Sequence, residues 1–122
     1  MIAVVDDEEF VRRAVVRLLQ AAGYTARAYA SGSEFLDTWQ FDRPDCLVMD
    51  LRMPGLGGAD VQRALNRAGA DFPVVIMTAH DSPGAREECR REGAVAYLIK
   101  PLDERLLLDA LNLGPRLTPL RK

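Results

Sequence analysis

Histidine is nearly missing from this chain: His80 is the only one. A histidine metal cluster or a phosphohistidine relay within the chain is therefore poorly supported. Lysine is almost as scarce. Lys100 and Lys122 are the only lysines among 16 basic residues, the rest being arginine. Cysteine is limited to Cys46 and Cys89, with no CxxC pair and no Cys/His cluster. That excludes a disulfide framework and a zinc site, and predicts two reduced thiols in a cytoplasmic protein. No apolar run approaches the ~20 residues of a membrane span. Asp6 and Asp7 follow Met1 too closely for a signal peptide. The formal net charge is −2, with no basic field. Nucleic acid could then be engaged only through an output domain outside this sequence.

The 122 residues, 48% of them apolar, fit one globular domain with a real core. Four short runs rich in valine and isoleucine stand out. Ile2 to Val5 is followed by Asp6-Asp7, Cys46 to Met49 by Asp50, Val74 to Met77 by Thr78, and Val95 to Ile99 by Lys100-Pro101. Such runs, each with helix-like sequence after it, are the pattern of parallel strands buried on both faces. Residues just past the carboxyl ends of such strands line one crevice. Three carboxylates, a hydroxyl and an ammonium should meet there.

The intervening segments predict five helices and one more strand. Asp7 can cap a helix from Glu8 to about Ala22, with Val11, Ala14, Val15, Leu18, Leu19 and Ala22 as its apolar stripe and Gly23 as its stop. Tyr24 to Ala28 reads as the second strand. Ser31-Gly32-Ser33-Glu34 reads as a capping box, with Phe35, Leu36 and Trp39 inward. Helices from Ala59 to Ala68, from Ala85 to Glu92, and from Asp103 onward complete the set. The last should bury Leu106, Leu107, Ala110 and Leu111, and Gly114-Pro115 should end it. The fourth carries little apolar surface beyond Ala85 and Cys89, so it should be among the least firmly held. Alternating strands and helices give an α/β class with a doubly wound five-stranded parallel sheet.

Three carboxylates in one crevice repel one another, by roughly 3 kcal/mol for two charges ~5 Å apart at an effective dielectric of about 20. A divalent cation removes that cost, and Mg²⁺ favours oxygen ligands with room for water and phosphate. Asp6, Asp7 and Asp50 could supply them. Asp50 is the candidate nucleophile, since a carboxylate attacking phosphorus gives an acyl phosphate. Lys100 and a metal would neutralise the phosphoryl oxygens, and Thr78 could donate a hydrogen bond to one. Taken singly, Asp6-Asp7 is an ordinary helix cap, Asp50 a turn residue and Thr78 a structural hydroxyl. Their shared placement at strand ends carries the argument. Lys100 also stands where the chain's prevailing arginine was not used, and a compact ammonium differs chemically from a planar fork.

The ordered set Asp6-Asp7-Glu8, Asp50-Leu51-Arg52-Met53-Pro54-Gly55, Thr78-Ala79, Gly93-Ala94 and Lys100-Pro101 resembles the receiver domain of bacterial two-component response regulators, from Ile2 to about Leu111. The resemblance implies a flavodoxin-like sheet with strand order 2-1-3-4-5. It implies that Asp50 accepts a phosphoryl group from a sensor histidine kinase, the domain assisting its own phosphorylation and dephosphorylation rather than acting as an enzyme on other substrates. Asp7 would bind Mg²⁺ directly and Asp6 through water, with Asp50 and the backbone carbonyl of Arg52 completing the protein ligands. Lys100 would grip the phosphoryl oxygens. Thr78 would move to the phosphoryl group and Tyr97 would turn inward behind it. The face formed by the fourth helix, fifth strand and fifth helix would then change partner, a phosphorylation-dependent homodimer among the options. Arg52 and His80 occupy the positions where the family tunes phosphoryl lifetime.

Other readings predict different features. A small Asp-nucleophile phosphohydrolase of the haloacid-dehalogenase type places its nucleophile after the first strand in a DxD motif, whereas Asp50 follows the third and Arg52 replaces the second Asp. A flavin-binding domain needs a Ser, Thr and Gly-rich first loop rather than Asp-Asp-Glu-Glu. A phosphate-independent interaction module has no use for the full acceptor set. The expected organisation is a receiver domain over residues 1–113 and a tail or linker over 114–122. Transcription control through a detached helix-turn-helix domain is expected, with a stand-alone regulator acting by protein contact as the alternative.

Overall fold

The computed structural model describes residues 1–112. The predicted end of the last helix at Gly114-Pro115, and the tail, lie outside them. Five strands form one parallel sheet in the order β2-β1-β3-β4-β5: β1 Ile2–Val5, β2 Ala26–Tyr29, β3 Cys46–Asp50, β4 Val74–Thr78 and β5 Ala96–Ile99. The helices are α1 Glu9–Ala21, α2 Gly32–Thr38, α3 Gly58–Arg67, α4 Pro83–Arg91 and α5 Glu104–Ala110. The doubly wound sheet read from the alternating elements, and the 2-1-3-4-5 order that the resemblance implied, are the ones observed.

β1, β3 and β4 do not alternate in polarity because both faces are covered. On one face Ala3, Val5, Leu47, Met49 and Ile76 pack with Phe35 and Trp39 near α2, with Val61 and Leu65 of α3, and with Cys89 of α4. On the other, Ile2, Val4, Val48, Val75 and Met77 meet Val15 and Leu19 of α1 and Leu107 and Leu111 of α5. The register pairs Val5 with Met49, Asp50 with Met77, and Thr78 with Ile99. The carboxyl ends of the central strands therefore finish level, which brings their following residues together.

Several local expectations are corrected. Asp7 does not cap α1: Glu8 holds the N-cap position without a side-chain bond, and Oδ1 of Asp6 accepts the Glu8 N–H at 2.9 Å. Tyr24 is not yet strand. Gly23, at φ 97°, and Tyr24 close the end of α1 by donating to Gln20 and Leu19, a left-handed termination that needs glycine and delays β2. At α2, Ser31 Oγ accepts the Glu34 N–H as expected, but Glu34 reaches back to the N–H of Ala30, one residue before the cap. The fourth helix starts at Pro83, two residues before the expected Ala85, with Ser82 as its cap. Ala14 and Ala68 are exposed, as is Leu106 at 56%, so the apolar stripes of α1, α3 and α5 are narrower than their sequences suggested.

The weak anchoring of α4 is visible in its contacts. Only Cys89 is buried, and polar bonds from α3 supply further attachment: Gln62 to the Cys89 carbonyl, Arg63 to Glu88, and Asn66 to Glu92.

Candidate functional site

Four strands contribute to one crevice. Asp6, directly after β1, is fully buried, whereas Asp7 is exposed. Asp50 ends β3 with 5% exposure, and Thr78 ends β4 with none. Lys100 follows β5, and its N–H donates to the Thr78 carbonyl at 2.8 Å. Asp7, Glu8, Asp50, Arg52, Thr78, Ala79, His80 and Lys100 line an open cavity of about 320 Å³. The site residues expected from the strand ends are thus brought together.

Lys100 is the hub of the charges. Its Nζ lies 2.9 Å from Oδ2 of Asp6, 3.2 Å from Oδ1 of Asp50 and 3.7 Å from Glu8. Burial works against its charge, yet the hydrogen bond to Asp6 and the charges of Asp50 and Asp6 together raise its pKa. Asp50 responds in the opposite sense to its surroundings. Burial, then the neighbouring Asp6 charge, pushes its pKa up to about 6, with Lys100 opposing and Asp7 adding a little. One ammonium does not balance the acidic set.

The donor set fits a hard divalent cation. Carboxylate oxygens of Asp6, Asp7 and Asp50 all lie within 4.8 Å of one another. Asp6 already gives one oxygen to the Glu8 N–H and the other to Lys100. Asp7 and Asp50, both facing the cavity, are better placed as direct ligands.

Thr78 does not point its hydrogen-bonding at Asp50. Its Oγ1 accepts the His80 N–H at 3.0 Å and donates to the His80 carbonyl at 3.3 Å. The His80 side chain is exposed, and it is the His80 backbone that holds the hydroxyl. Tyr97, near the start of β5, is half-buried, with its hydroxyl enclosed and its pKa raised by burial and then by Asp81. Gly58 stands just before the Ala59 start expected for the third helix. It is the first residue of α3, and a Cβ there would sit 2.9 Å from the Asp50 carbonyl and 3.0 Å from the Leu51 Cα. No spacing signal marks that close approach.

The family model for the response regulator receiver domain matches residues 2–112. The chain belongs to the response regulator receiver domain family. This receiver domain is 41% identical over 119 residues to the response regulator MprA of Mycolicibacterium vanbaalenii, covering 97% of this chain and 52% of that protein. It is 43% identical over 100 residues to MprA of Mycobacterium avium, covering 82% and 44%. The chain spans about half the length of these curated relatives. Among solved structures, chemotaxis protein CheY4 of Vibrio cholerae superimposes with a TM-score of 0.84 at 31% identity, covering 93% of this receiver domain and 96% of that chain. The structure of FixJ-N gives 0.86 at 29%, covering 93% and 90%. No helix among the described residues is long and apolar enough to cross a membrane.

Proposed function

We propose that this domain accepts a phosphoryl group on Asp50 from a phosphorylated histidine of a sensor kinase, and that this event controls a separate output. The observation that carries the reading is the setting of Asp50: a buried carboxylate at the floor of an open cavity, 3.2 Å from the Lys100 ammonium and clustered with Asp6 and Asp7. With a pKa of about 6 the carboxylate is ionised at neutral pH, and burial keeps it poorly solvated. It is therefore ready to attack. An Asp50 oxygen forms a bond to phosphorus as the P–N bond of the donor breaks, and the imidazole leaves with the electron pair. A Mg²⁺ ion held at the carboxylate cluster would supply charge neutralisation for the phosphoryl oxygens. Asp7 and Asp50 would hold it directly, Asp6 would hold it through water, and the Arg52 carbonyl would complete the protein ligands. Lys100 turns toward the phosphoryl oxygens, and the Thr78 hydroxyl leaves the His80 backbone to join them. Arg52 and His80, both on the cavity wall, govern access of hydrolytic water.

The donor needs a seat beside the cavity. Phe10, 86% exposed, Val11, Leu18 and Leu102 line an apolar groove that shares Lys100 with the acceptor site. The histidine-bearing domain of the kinase fits there because its phosphoryl group must reach Asp50. The domain spans residues 1–113, and Tyr97 carries the change to the face of α4, β5 and α5, where Ile99 and Leu106 are exposed. That face forms a phosphorylation-dependent homodimer or engages an output domain, a helix-turn-helix transcription module being the one we favour, in the cytoplasm.

Intact mass after incubation with acetyl phosphate and Mg²⁺ tests the reading. The expected result is a gain of one phosphoryl group, absent with EDTA and in Asp50→Asn. An undiminished gain in Asp50→Asn sinks the assignment.

A further inference from the structure

Tyr97 is gripped by a residue that none of the acceptor chemistry requires. The Arg86 guanidinium lies 4.6 Å from the centre of the Tyr97 ring, and the same group donates to Oδ2 of Asp81 at 3.1 Å. Asp81 directly follows His80, whose N–H and carbonyl both bond the Thr78 hydroxyl. A continuous run of contacts thus links Thr78, the His80–Asp81 backbone, Arg86 and Tyr97. Arg86 sits on α4 and Tyr97 on β5, so the stack also bridges two elements of the proposed output face.

We infer that Arg86 is a positioning residue that holds the Tyr97 ring and couples it, through Asp81, to the loop that restrains Thr78. A guanidinium can do both jobs at once: its face stacks on an aromatic ring while its edge donates to a carboxylate. The Arg86–Asp81 pair alone is worth little, since the side chains are 52% and 44% exposed. Its effect comes from sharing one planar group with Tyr97. The ring borders a hollow of about 230 Å³ lined with Cys89, Arg90, Ala94 and Ala96. When Thr78 gives up the His80 backbone, the loop changes its hold on Asp81, and Arg86 passes that change to the ring.

This inference rests on the reading of Asp50 as phosphoacceptor, but its first half is testable without phosphorylation. Ring-¹³C tyrosine spectra of the wild type, Arg86→Ala, Arg86→Lys and Asp81→Asn, recorded with EDTA and again with Mg²⁺ and acetyl phosphate, provide the test. Tyr24 and Tyr29, buried elsewhere, serve as internal references. In EDTA, Arg86→Ala is expected to change the balance of Tyr97 ring orientations about two- to fivefold, the worth of one exposed cation–π contact. Tyr24 and Tyr29 should not move, and Arg86→Lys should restore part of the effect. After phosphorylation, the Tyr97 response should shrink in Arg86→Ala and Asp81→Asn while the Asp50 labelling rate stays within about twofold of the wild type, neither residue touching the acceptor. Unchanged Tyr97 signals in EDTA overturn the positioning role. A full Tyr97 response in both variants overturns the coupling. A wild type that takes up no phosphoryl group from acetyl phosphate or a phosphorylated kinase overturns the reading of Asp50 and the coupling with it, while the EDTA spectra still decide the positioning role.

Discussion

Lys100 is bonded more closely to Asp6 than to Asp50, at 2.9 Å against 3.2 Å. Asp6 is fully buried and its other oxygen is held by the Glu8 backbone, so the anchor is fixed. The ammonium is thereby parked beside the acceptor with one bond already made to it. Lys100→Ala is expected to slow labelling of Asp50 by acetyl phosphate by about a hundredfold or more. Lys100→Arg should not restore it, because a planar fork does not fit where one compact charge meets two carboxylates. In metal-free buffer the alanine variant should lose about 3 kcal/mol, since two enclosed carboxylates lose their counter-ion. Urea unfolding in EDTA checks this, and a loss near zero removes the role given to the pair.

The raised pKa of Asp50 has a sign in the stability of the protein. Its ordinary value is 3.8 and its folded value about 6, so the folded state holds the proton more tightly between those limits. Metal-free protein should therefore lose stability as pH rises from about 4 to about 6. Asp50→Asn should be flatter over that window and more stable near pH 7 by about 1–3 kcal/mol. Mg²⁺ should narrow the gap by stabilising the wild type. Thermal unfolding at several pH values, with EDTA and with Mg²⁺, measures both.

Thr78→Val removes two hydrogen bonds to the His80 backbone from a buried position. A cost of about 1–2 kcal/mol is expected. Asp50 should still be labelled, since the hydroxyl is not the nucleophile, but the Tyr97 signal should respond less. Thr78→Ser should recover the response. Mass spectrometry and the tyrosine spectra separate the two effects.

Gly58→Ala places a methyl group against the Asp50 carbonyl and the Leu51 backbone. Neither neighbour is the far end of a flexible side chain, so the start of α3 or the acceptor loop must shift. A loss of about 1–3 kcal/mol is expected, together with slower labelling of Asp50. Gly84→Ala, with open space around it, is the control that should leave labelling unchanged.

Cys46 and Cys89 are buried and unpaired, and burial pushes the Cys46 thiol up to about 12. Iodoacetamide at pH 8 should leave both unmodified in the folded protein and alkylate both in urea. Because the folded state keeps the Cys46 proton above its ordinary value of 9.0, stability should fall as pH rises from there toward about 12, and Cys46→Ala should lack that component.

The sequence by itself determined the five strands, their order of chemistry and the meeting of Asp6, Asp7, Asp50, Thr78 and Lys100. Short apolar runs without alternation can only be satisfied by covering both sheet faces, and that condition places their end residues in one crevice. Helix existence was legible for the same reason, from spacing along one segment. The tertiary structure decided what depends on separate segments meeting. The pairing of Lys100 with Asp6 spans 94 positions, and the Arg86 stack on Tyr97 joins α4 to β5. Asp6 rather than Asp7 serves the Glu8 backbone because the end of β1 fixes which carboxylate faces inward. Leu106 stands exposed although its spacing fits the apolar side of α5, because the sheet covers only part of that helix. Spacing along a segment reports which residues share a face; which partner that face meets is set by register and helix placement, and those are long-range choices of the folded chain.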